Sequence, residues 1–125
     1  FKPQILNGSI CSKATADTLT RALKMVTLEG TASRLKNAKC TVAGKTGTAR
    51  QIIDPHSRKG SKDPYLDIDG RRQYASTFAG FFPADEPRFS VICVLYTKPT
   101  HKPLQGGMLP AETVRHFIEG IENLR

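Results

Sequence analysis

Eight consecutive residues, Val42-Ala43-Gly44-Lys45-Thr46-Gly47-Thr48-Ala49, bring together a cation, two hydroxyls and two glycines. Lys45 can orient an anion or hold a proton. Thr46 and Thr48 each donate and accept hydrogen bonds. Gly44 and Gly47 remove side chains, so that another backbone or a ligand can approach closely. On a strand, Thr46 and Thr48 share one face, with Lys45 and Gly47 on the other. Such a strand edge suits an extended peptide held through its main chain, with the threonines on a carboxylate.

Three readings compete for these residues. Gly44-Lys45-Thr46 matches the end of a phosphate loop. That motif needs a glycine five residues before Gly44 and a helix after the Lys-Thr pair. Lys39 stands at the first position, and Ala49-Arg50-Gln51-Ile52-Ile53 reads as further strand, so the spacing argues against it. The second reading is the Lys-Thr-Gly element of penicillin-interacting serine enzymes, which lies on a strand beside the nucleophile. The third is an ordinary bent strand. A lone triplet does not separate the last two; its flanks must.

The elements that would position the motif follow from periodicity. Ala14 to Glu29 reads as a helix, with Leu19, Ala22, Leu23, Met25 and Val26 as its apolar stripe. Ser12 or Thr15 suits its cap and Gly30 its stop. Thr31 to Lys39 is a polar connection. It contains Ser33-Arg34-Leu35-Lys36, a Ser-x-x-Lys match of the kind used for acylation. Nine residues before Lys45, on a connection into the same strand, is a poor place for a nucleophile that must face that strand. We read it as a chance match.

Cys40 to Ile53 reads as the first strand, and Asp54 to Arg72 as a long loop punctuated by Pro55, Gly60, Pro64 and Gly70. Loops of this length in compact domains are often functional or disordered. Tyr74 to Phe82 is the second strand and Pro83 to Pro87 a tight turn. Phe89 to Thr97 is the third strand, apolar on both faces and therefore expected to be covered on both. The short turn before it argues an antiparallel hairpin. Lys98 to Met108 is a loop, and Pro110 suits the first turn of a final helix. Val114, Phe117, Ile118, Ile121 and Leu124 give that helix its stripe. The expected fold class is α+β: an antiparallel sheet of at least three strands with packed N-terminal and C-terminal helices.

At 125 residues the chain holds one domain, and 38% hydrophobic with 24% charged residues is a globular composition. No apolar run is long enough to span a membrane. Phe1-Lys2-Pro3-Gln4-Ile5 reads like the middle of a larger protein. The net charge of +8 raises the question of an anionic partner. Its densest group (Arg58, Lys59, Lys62, Arg71 and Arg72) sits in the loop without interleaved aromatics, so a solvated loop is expected rather than nucleic-acid binding. Cys11, Cys40 and Cys93 form no Cys-x-x-Cys pair, and His56, His101 and His116 are scattered, so no metal site is expected. Cys93 reads as a small core residue.

With that element order, the chain resembles the C-terminal part of a class B penicillin-binding protein transpeptidase domain. Ala43 to Ala49 looks like the family's third motif and its flanks. Glu29-Gly30-Thr31-Ala32 is similar to its turn before that strand, and Ser76 to Pro87 to its next strand and turn. Gln105-Gly106-Gly107 and the following helix resemble its C-terminal element. The detail is closest to division-type enzymes, with elongation-type enzymes near. The family also needs a Ser-x-x-Lys nucleophile pair and a Ser-x-Asn element well before this strand. No Ser-x-Asn occurs here, and the only Ser-x-x-Lys is the misplaced one.

The resemblance implies a partial penicillin-binding, β-lactamase-like serine transpeptidase fold over residues 1–125, and a fragment inactive by itself. For the intact protein it implies a membrane-anchored D,D-transpeptidase on the outer face of the bacterial inner membrane. Its substrates would be peptidoglycan stem peptides, with β-lactams as mimics that acylate the same serine. Partners would be the rest of its own domain and the division or elongation machinery. No cofactor is implied. Lys45 and Thr48 would be catalytic, Lys45 in proton transfer and Thr48 N–H in the oxyanion hole. Lys45, Thr46, Gly47 and Thr48 would bind substrate, the two threonines through its terminal carboxylate. A non-catalytic β-lactam sensor of the same fold is the alternative.

Overall fold

Ser12 starts the first helix: its backbone is extended and its hydroxyl accepts from Thr15 N–H at 3.2 Å, which satisfies one of the orphan donors of a helix start. This helix, α1, runs Lys13–Leu28 in the computed structural model, which describes residues 2, 4–58, 60–104 and 107–121. Phe1, Pro3, Lys59, Gln105, Gly106 and Leu124, invoked above, lie outside the described residues. Gly30 ends α1 as expected, but not through a left-handed backbone. A Cβ there would lie 2.9 Å from Val26 Cα and from Val26 O, so glycine is needed for the chain to fold back over the last turn. The apolar stripe is only partly used. Leu19 and Met25 stay about half exposed, while Leu23 and Val26 are half-buried and Thr27 is buried. Only the C-terminal turns of α1 are buried to this degree.

After a short 3-10 turn at Ser33–Leu35 come three strands, β1 Ala43–Arg50, β2 Tyr74–Phe82 and β3 Phe89–Tyr96, and a final helix, α2 Met108–Gly120. The sheet is antiparallel in the order β1-β2-β3. The expected α+β class is what the structure has. Strand β1 is shorter than Cys40 to Ile53 because its partner runs out at both ends. Opposite Thr41 the register calls for Pro83, which has no N–H; Thr41 O accepts from Ala84 N–H at 2.8 Å instead. Past Arg50, Gln51 N–H still reaches Gln73 O at 2.9 Å, and Ile53 N–H then turns to Pro64 O.

Even-numbered residues of β2 face the core. Phe78 and Phe82 are fully buried there with Leu35, Val42, Val114 and Ile118, each burial contributing about 1.5–3 kcal/mol. Gly44 and Gly80 are opposite each other in the register, and the Phe78 ring occupies the space over both. A Cβ on Gly44 would fall 2.4 Å from that ring, and one on Gly80 2.9 Å from it. Gly44 therefore makes room for a core phenylalanine, not for a ligand.

Both helices contribute to this one core. The expectation that β3 is covered on both faces is corrected. Val91 and Cys93 pack against the core, whereas Ile92 and Tyr96 on the reverse face are each 70% exposed. No described element lies against that face. Phe117, assigned to the buried stripe of α2, is also largely exposed.

The described residues of the loop from Asp54 to Arg72 are tied by local bonds. It holds a 3-10 turn at Pro55–Arg58. Buried Asp67 accepts from the N–H groups of Asp69 and Arg71 and from Arg71 Nε at 2.9 Å. Desolvation pushes the Asp67 carboxyl up, but these Arg71 and Asp69 donors outweigh it and hold it below the usual carboxylate range. Arg72 and Thr100 exchange both backbone bonds, which joins this loop to the one before α2. No helix is long and apolar enough to cross a membrane among the described residues.

Candidate active site

An antiparallel pair alternates residues that bond across the ladder with residues whose N–H and C=O point away. Gln51 N–H bonds to Gln73 O, and the register pairs Arg50 with Tyr74 and so on to Ala43 with Phe81. The bonded positions of β1 are therefore the odd ones: Ala49, Gly47, Lys45 and Ala43. The bond from Thr97 N–H to Tyr74 O assigns the even residues of β2 to β3, which agrees. The main-chain groups of Gly44, Thr46, Thr48 and Arg50 consequently point to the outer edge of β1. No strand pairs with that edge among the described residues.

Side chains alternate at right angles to this edge. Lys45 and Gly47 lie on the face opposite the core and are exposed. Lys45 Nζ curls over the edge and donates to Thr46 O at 2.8 Å. Thr46 lies on the core-side face and is half-buried; Thr48 is on the same face and exposed. The predicted division of faces is thus the observed one. The four residues meet along one edge: two main-chain donors and acceptors, a hydroxyl row on one side and an ammonium on the other.

Gly47 differs from Gly44. A Cβ at Gly47 would meet nothing nearer than Thr77 Cβ at 3.9 Å, an ordinary contact. Among the described residues, packing gives no reason for glycine there. Space for something approaching the edge is the remaining physical reason.

Sequence reasoning missed three supporting residues. Thr31 Oγ1 lies 2.6 Å from Thr46 Oγ1. Ser76, buried and opposite Thr48 in the register, accepts from Gly107 N–H at 3.3 Å. Gly107 has φ +100°, and a Cβ there would strike Thr46 Cγ2 at 2.5 Å. Nothing in the local sequence singles out Thr31 or Gly107, because their contacts with Thr46 span 15 residues and 61 residues of chain. The Ser33-Lys36 pair is on the short turn that packs against α2, and both residues are exposed. The pocket they line also contains Arg34, Asn37, Glu112 and Arg115 and no residue of β1.

A family model described as the penicillin binding protein transpeptidase domain matches residues 1–119. Among solved structures, the chain is similar to the transpeptidase domain of the D,D-transpeptidase FtsI4 from Legionella pneumophila, with a TM-score of 0.62 and 24% identity. That match covers 90% of this chain and 37% of that one. This chain therefore spans little more than a third of the length of the structure it matches, and at that identity the likeness speaks for the fold. No curated protein matches.

Proposed function

Because the chain belongs to the family of penicillin-binding-protein transpeptidase domains, we propose that it is the C-terminal segment of one and supplies its substrate-binding strand. The intact protein would be a serine D,D-transpeptidase cross-linking peptidoglycan. A serine outside this chain attacks the D-Ala-D-Ala carbonyl of a stem peptide. The terminal D-Ala leaves as the free amino acid, taking a proton. The acyl-enzyme then passes its acyl group to an amine on a neighbouring strand and regenerates the serine. β-Lactams enter the same first step and stop there.

The observation that carries this reading is the open outer edge of β1. An extended peptide pairs with the N–H and C=O of Thr46 and Thr48, and its N–H competes with the Lys45 ammonium for Thr46 O. The Lys45 ammonium, so released, stands beside the reacting centre, where it assists proton transfer and attracts the substrate carboxylate. The Thr46 and Thr48 hydroxyls donate to that carboxylate. Thr48 N–H, with the nucleophile's own N–H, holds the developing oxyanion; one such donor is worth about 100- to 1000-fold in rate. Gly47 leaves the approach clear. The protein would act at the outer face of the bacterial inner membrane, anchored by a segment outside this chain, in the division or elongation machinery.

The test is the rate of labelling of the full-length protein by a fluorescent penicillin. Thr48→Val should lower it by about 10- to 100-fold, the value of a hydrogen bond to a charged group. Unchanged labelling would remove the carboxylate role from Thr48.

A further inference from the structure

The hydroxyl of Thr46 is not free to turn. Its Cγ2 packs against Gly107, whose missing side chain leaves that space. Its Oγ1 is 2.6 Å from the hydroxyl of Thr31, which stands just after α1 where Gly30 turns the chain. A β-branched side chain with both substituents engaged is held in one rotamer. We infer that Thr31 is a positioning residue for carboxylate recognition by Thr46, an inference that rests on the transpeptidase reading above.

The hydrogen count fixes the direction. A carboxylate only accepts, so Thr46 must give its single hydroxyl hydrogen to the substrate. Thr46 Oγ1 is then an acceptor towards Thr31, and Thr31 must donate. The result is a relay, Thr31 to Thr46 to carboxylate, in which each bond polarises the next. Without a carboxylate, the same short contact works in either direction. Loss of the Thr31 hydroxyl leaves Thr46 held only through Cγ2 against Gly107 and removes the donor behind its Oγ1. No atom of Thr31 need touch the substrate.

The experiment compares acylation rates of the full-length protein by a penicillin with a free carboxylate and by its neutral methyl ester. Thr31→Val should slow the free acid about tenfold and the ester by no more than about twofold, the scale of one hydrogen bond. Thr31→Ser should restore the free-acid rate. Thr46→Val with Thr31→Val should be no slower than Thr46→Val alone. Thr31→Ala is made in parallel, so that poor packing of valine leaves the comparison standing. Equal losses on both probes, or losses that add in the double variant, would overturn the relay while leaving the strand assignment intact. Thr46→Val and Thr48→Val both acylating at the unaltered rate would overturn the strand assignment itself, and Thr31 with it.

Discussion

Two glycines of the motif have opposite reasons, and substitution separates them. Gly44→Ala drives a Cβ into the Phe78 ring and to 2.6 Å from Ala79 O. Overpacking of this kind costs about 1–3 kcal/mol, read as a lower denaturation midpoint. Gly47→Ala meets only an ordinary contact with Thr77 Cβ at 3.9 Å and should leave the midpoint unchanged while slowing penicillin labelling. A stability loss at Gly47 equal to that at Gly44 would mean that its glycine serves the fold. Sequence reasoning gave both glycines one role because spacing along a strand shows which face a residue shares, not what lies over it. The phenylalanine that occupies the space above Gly44 is 34 residues away. The faces of Lys45, Thr46, Gly47 and Thr48 were legible, since strand alternation is local; the engagement of Thr46 by Thr31 and Gly107 was not.

The elements are joined to β1 by polar ties at its start. Thr27 of α1 is buried and donates to Val42 O at 2.6 Å. Thr27→Val leaves that carbonyl without a partner and should cost about 1–3 kcal/mol, measured by chemical denaturation. Asp85, in the turn between β2 and β3, accepts from Lys24 at 2.7 Å and from Thr41 at 2.8 Å. These side-chain bonds, with the Lys24 charge, hold its carboxyl below the usual range. A carboxyl depressed in the folded state contributes stability above the unfolded value of about 3.9. That stability is lost as pH falls through the folded value. Melting temperatures should fall less steeply across acidic pH in Asp85→Asn than in the parent, the loss that remains belonging to carboxyls such as Asp67; identical curves would remove the tie. The element order, the hairpin and the turn at Pro83 to Pro87 were readable from periodicity and turn residues. The ends of β1 were not, because a strand stops where its partner's N–H groups stop, and Pro83 is distant in sequence.

At the scale of the whole molecule, one face of the sheet is covered and the other is not. Ile92 and Tyr96 on the bare face are each 70% exposed, and Val94 is 40% exposed. The apolar pattern of β3 predicted cover on both faces. The pattern is real and the cover is absent among the described elements, as fits a chain that spans 37% of the structure it matches. These 125 residues made alone should associate through that face, and Ile92→Lys with Tyr96→Lys should shift sedimentation towards the monomer. They should also fail to capture penicillin covalently. Capture would place a working nucleophile within this chain, with Ser33 the first to examine.

On the proposed function, the edge of β1 beside Lys45 is where β-lactams and stem peptides are acted on. Penicillin labelling of the full-length protein after Lys45→Ala tests it most directly. The side chain is exposed, so the fold should keep its melting temperature, while labelling should fall by about 100-fold or more, the scale of a lost proton-transfer group. Labelling at the parent rate, in a protein of unchanged stability, would contradict the account.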